Sequence, residues 1–79
     1  MNLKQAILVS LKNVHPCMLP QSALQVDVNG LLASPVTRAE LERELGLMET
    51  RWQVIGLRDA VTDQLKWKVT DNGLALLAG

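Results

Sequence analysis

Apolar residues recur at helical spacing in several stretches of the chain and alternate at period two in one. Leu3, Ile7, Leu8, Leu11 and Val14 share one face, with Lys4 and Lys12 off it. This predicts an amphipathic first helix over residues 2–14. His15-Pro16 ends it, because the residue before a proline avoids the helical region. Leu19-Pro20-Gln21-Ser22 reads as a second start, since proline fits the first helical turn, where a missing N–H costs nothing. Leu24, Val28 and Leu31 then carry a helix from about 20 to 29 that closes near Asn29-Gly30. Leu31 to Pro35 reads as a partly buried crossing segment, with Val36 as a rudimentary strand.

Thr37-Arg38-Ala39-Glu40 has the form of a capping box, a threonine cap with glutamate three residues on. Leu41, Leu45, Met48 and Trp52 extend one stripe beyond it, which predicts a third helix from 38 to about 50. Gly46 allows a rival parsing, with a break there and a new helix over 49–60. Val54 to Arg58 has strand composition, however, and Leu65-Lys66-Trp67-Lys68-Val69 alternates cleanly. A hairpin of 54–58 with 65–69 gives each run a partner, with 59–64 as a polar connection. Thr70-Asp71-Asn72-Gly73 caps a short final helix over 74–77. The expected order is helix, helix, short strand, helix, strand, strand, helix, an α+β arrangement.

Seventy-nine residues make one small domain, 1–79, with a folded surface of roughly 4,700 Å². The core is thin for a lone monomer, so a homodimer is one expectation. Eight basic against eight acidic residues exclude a polybasic tail, though not a local basic patch. With Trp52 and Trp67 the only aromatics, an aromatic stacking platform for bases is not expected. One cysteine excludes an internal disulfide and any cysteine-rich zinc site. There is no signal-peptide plan and no spanning segment, so the expectation is a cytoplasmic protein without membrane contact.

The segment LKWKVTDNGLALL (65–77) resembles the end of a wing in the winged-helix group of helix-turn-helix domains. The matching positions are Trp67, Val69, Thr70, Asp71, Gly73, Leu74 and Leu77. With LPQSAL (19–24), VTRAELEREL (36–45) and VIGLRD (54–59), the chain is similar to small winged-helix proteins carried by phages and prophages. The resemblance implies a winged helix-turn-helix with a three-helix core, a C-terminal β-hairpin wing and a short terminal helix. It also implies binding to double-stranded DNA, with helix 38–50 in the major groove and the hairpin beside it.

On that reading the candidate DNA-binding residues are Arg38, Arg43, Arg51, Arg58, Lys66 and Lys68. Arginine suits bidentate contact with guanine. Lys66 and Lys68 share one face of their strand, Arg58 is expected to join them, and such a patch suits the sugar-phosphate backbone. The opposing observation is charge. Residues 38–51 carry three arginines against four glutamates, and Arg38 with Glu42 makes an i,i+4 pair. Lys66 and Lys68 equally suit a solvated face that protects a sheet edge. Trp67 is expected to anchor the core, and Trp52 to follow the helix-three stripe or rim a dimer.

His15 and Cys17 do not complete a zinc site, and the glycines form no phosphate cradle. No serine or cysteine sits in a nucleophile–base context. The chain therefore reads as a binding protein rather than an enzyme, without catalytic residues, metal or cofactor. The second functional reading is a protein-interaction module with a phage or host protein as partner, for which the first helix and the leucine-rich residues 74–78 offer surfaces.

Overall fold

The computed structural model describes residues 1–78. Its elements run α1 (Leu3–Val14), β1 (Leu19–Pro20), α2 (Gln21–Leu31), α3 (Arg38–Thr50), β2 (Val54–Arg58), β3 (Leu65–Val69) and α4 (Asp71–Ala78). α1 starts at a reciprocal cap. The Asn2 side chain accepts from the Gln5 N–H at 2.8 Å, and the Gln5 side chain accepts from the Asn2 N–H at 3.2 Å. α3 starts in the same way at Thr37, whose Oγ1 accepts the Glu40 N–H at 3.2 Å.

The three strands form one antiparallel sheet in the order β1-β3-β2. α1 lies at the centre and gives Ala6, Ile7, Leu8 and Leu11 to the core. α2 adds Leu24 and Val28, α3 adds Leu41, Leu45 and Met48, and the sheet adds Val54, Trp67 and Val69. α4 packs against α1 and β3 and presses Leu74 and Leu77 onto the core. The accessible surface is 4940 Å², close to the size expected of this chain length. This is a winged helix-turn-helix: α2 and α3 are the helix pair, and β2 with β3 is the wing. The fourth helix completes the core behind them.

The hairpin parsing holds, and residues 49–60 are not one helix. Three expectations are corrected. The short strand is Leu19–Pro20, not Val36. Proline has no N–H to give a ladder, so it suits the outer position beside Lys66 on β3. Val36 cannot take that role, because Asn29 occupies its backbone: the Asn29 Oδ1 accepts the Val36 N–H at 2.9 Å. The element order therefore places a strand between the first two helices. Second, α2 runs through Gly30 to Leu31, and Leu31 is exposed rather than part of the buried stripe. Third, α4 begins at Asp71, with Asp71 to Gly73 inside the helix. Thr70 holds its start, accepting the Gly73 N–H on Oγ1 at 3.2 Å.

Two glycines are fixed by close approach. A Cβ on Gly56 would stand 2.7 Å from the Trp67 ring, which lies across the strand at that point. A Cβ on Gly73 would meet the Gln53 carbonyl and stand 2.7 Å from Val69, where α4 crosses the sheet.

Candidate nucleic-acid interface

α3 buries one face only. Leu41, Leu45 and Met48 point into the core, and on the far side Ala39, Arg43, Gly46 and Thr50 form an exposed stripe at helical spacing. The glutamates lie on the flanks. A 100° step per residue puts Glu42 and Glu49 on one side of that stripe and Glu40 and Glu44 on the other. The acidic count of the helix therefore does not describe its outward face, where Arg43 is the one charge. Thr50 turns its hydroxyl inward, donating to the Gly46 carbonyl at 2.9 Å.

Arg38 occupies the first position of α3 and is 78% exposed in its side chain. Its Nε donates to Glu42 Oε1 at 2.9 Å. The same oxygen accepts the Gln21 Nε2 from the start of α2, also at 2.9 Å. Gln21 in turn accepts the indole N–H of Trp67 on Oε1 at 3.1 Å. An unbroken polar chain thus links the wing strand to both helices of the pair. Hydrogen bonds from Arg38, then from Gln21, hold the Glu42 carboxyl below its ordinary value of 4.5.

Two of the three wing cations are paired within the wing. Lys66 Nζ lies 3.3 Å from Asp59 Oδ2, and Arg58 Nη1 lies 3.5 Å from Asp63 Oδ1 while donating to the Asp63 carbonyl at 3.0 Å. Asp59 also accepts the backbone N–H groups of Val61 and Thr62 and so closes the turn. Those two bonds, then Lys66, hold its carboxyl below the ordinary 3.8.

The expected lysine patch is corrected in one member. Leu57 faces Lys66 and Ile55 faces Lys68 across the ladder, whereas Arg58 faces Leu65. Residues directly opposite share a face, so Arg58 lies on the side away from the two lysines. It reaches instead into an open cleft of about 460 Å³ that it shares with Arg38, Glu42, Gln21 and Gln64. The structure therefore gathers Arg38 and Arg58 at one cleft, leaves Arg43 on the outward stripe, and sets Lys66 and Lys68 on the other wing face. Arg38, Arg58 and Lys66 are ion-paired, and Arg43, Arg51 and Lys68 make no ion pair among the described residues.

Arg51 lies just past α3, and Trp52 is not on its apolar stripe. The Trp52 and Gln53 N–H groups bond back to the carbonyls of Glu49 and Met48 in a Schellman turn that ends the helix. Trp52 takes the left-handed position there, at φ 59°, and is 68% exposed. Gln21 escaped the sequence reading. Its partners are 21 and 46 residues away, and no local spacing signals them. Among the described residues no group of three or more His, Cys, Asp or Glu is placed to hold a metal. Among the described residues no helix is long and apolar enough to cross a membrane.

The same fold is found in solved structures of low sequence identity. One is a single-substitution mutant of MepR from a multidrug-resistant S. aureus clinical isolate, with a TM-score of 0.74 and 19% identity. The match covers 99% of this chain and 52% of that one, so the chain spans about half its length. Another is TA0346 from Thermoplasma acidophilum, described as a candidate transcriptional regulator, with a TM-score of 0.70 and 18% identity over 96% of this chain and 74% of that one. No protein-family profile matches the chain, and no curated protein matches it in sequence.

Proposed function

We propose that the chain binds double-stranded DNA as a transcription regulator, with α3 in the major groove. The observation that carries this reading is the outward face of α3. Its small residues Ala39 and Gly46 let the helix approach closely, and Arg43 stands between them clear of the flanking acids. Arg38 and Arg58 stand at the cleft by the start of α3, each beside an acid, and Lys68 adds an unpaired cation on the wing. The likeness of the fold to that of TA0346, described as a candidate transcriptional regulator, agrees with it. The finer reading is a small phage or prophage regulator that works as a homodimer in the cytoplasm. It rests on the sequence resemblance and on the two-fold symmetry of the sites such helix pairs read.

The test is duplex binding across a salt series. Affinity should fall linearly on logarithmic axes, by about 0.9 units of slope for each phosphate neutralised. Arg43→Ala should weaken preferred and scrambled duplexes unequally. Absence of duplex binding at about 50 mM salt, where the electrostatic contribution is still strong, defeats the reading.

A second reading, a protein-interaction module, is favoured by Trp52. An exposed indole held in the left-handed region gives the isolated chain nothing, and aromatic anchors are enriched at protein interfaces. The two surfaces expected from sequence fit it less well. α1 spends its apolar face on the core, and of the leucines in α4 only Leu76 is exposed. Amide shifts centred on Trp52 upon adding a partner, with none on α3, would decide for it.

A further inference from the structure

We infer that Arg38 is a specificity-determining side chain that reads guanine, and that Gln21 is the residue that positions it through Glu42. This inference rests on the DNA-binding reading above. An arginine at the first position of a helix is out of place for stability. The helix dipole disfavours a cation there, and arginine before glutamate at i,i+4 is the weaker order of that pair. Helix formation therefore does not account for Arg38.

The polar chain behind it accounts for its orientation. Trp67 is 5% exposed, and its indole nitrogen can only donate. The Gln21 amide must therefore turn its oxygen to Trp67, which directs its nitrogen to Glu42. Glu42 Oε1 is thereby fixed and accepts the Arg38 Nε. With Nε engaged, both terminal nitrogens of the guanidinium are left without a hydrogen bond among the described residues, an open fork. Such a fork matches O6 and N7 of guanine in the major groove. An isolated exposed ion pair is too loose to select a base. This one is anchored through two side chains to a buried ring of the wing, so the fork is set before DNA arrives.

The experiment selects preferred duplexes from a randomised pool with the full chain. It then measures binding to duplexes altered one base pair at a time. The wild type should prefer guanine at one position by about 5- to 150-fold. Arg38→Lys should abolish that preference with the salt slope unchanged. Gln21→Met, similar in size but without the amide, should lower the preference at the same base pair and at no other. In the Arg38→Lys background it should add nothing. Glu42→Ala carries the same test if Gln21→Met fails to fold. It should raise affinity for all duplexes by removing an acid, yet still lower discrimination at that one position. If Gln21→Met changes no position, or weakens all equally, the positioning role falls while the DNA-binding reading stands. If the wild type binds duplexes with no preference for guanine at any position, this inference falls alone; if it binds no duplex at about 50 mM salt, both fall together.

Discussion

At the scale of single residues, two glycines predict opposite outcomes. Gly46 is exposed in α3, and a Cβ there meets nothing within 4 Å. Gly46→Ala should stabilise the fold by about 1 kcal/mol, the ordinary helix preference of alanine over glycine. Gly56→Ala should destabilise it by about 1–3 kcal/mol, because the Trp67 ring must move from a packed position. Urea melts of the two variants check both signs. Trp52 offers a third test. A bulky residue in the left-handed position of a Schellman turn costs roughly 1–2 kcal/mol. Trp52→Gly should therefore raise the urea midpoint by the equivalent of about 1 kcal/mol. An unchanged or lower midpoint would count against strain at this turn.

At the scale of elements, the caps define where helices begin. Thr37→Ala removes the acceptor for the Glu40 N–H at the start of α3 and should cost about 1 kcal/mol in urea melts. Equal stability would count against the cap. Both α3 and the wing were legible in the sequence because their signals are local: a capping box, a 3.6-residue stripe, a two-residue alternation. β1 was not. It has two residues, one of them a proline, and its partner strand lies far along the chain. The face that Arg58 takes is hidden in the sequence for a related reason. Which side it takes depends on pairing across the turn, and the ladder sets it opposite Leu65. Trp52 misled because its spacing continues the α3 stripe although the chain has already turned. The exposed arginines of α3 could be read directly. The pairing of Lys66 with Asp59, and the path from Trp67 to Arg38, exist only once the chain has folded.

At the scale of the whole molecule, formal neutrality hides an arrangement. The wing pairs both its acids with its own cations and leaves Lys68 over, whereas α3 keeps its acids off its outward stripe. Acid should weaken the fold through Glu42 and Asp59. Both have folded-state values below their ordinary 4.5 and 3.8. Their contribution is therefore fully present above those ordinary values and is lost as pH falls through the lowered ones. Urea midpoints measured from about pH 6 down to about pH 2 should fall at the acidic end. The decline should be shallower in Glu42→Gln and Asp59→Asn. A decline that is unchanged in both variants would show that other carboxylates carry it.

The two indoles also make the protein its own optical reporter. The chain has neither tyrosine nor phenylalanine, so its near-ultraviolet fluorescence comes from Trp52 and Trp67 alone. One ring is 68% exposed and the other 5%. In Trp52→Gly the remaining emission belongs to Trp67, whose N–H rests on Gln21. Its wavelength then registers the polarity of one buried point where the wing meets the helix pair. A titration with duplex would reveal any movement at that junction as a spectral shift, with no dye attached.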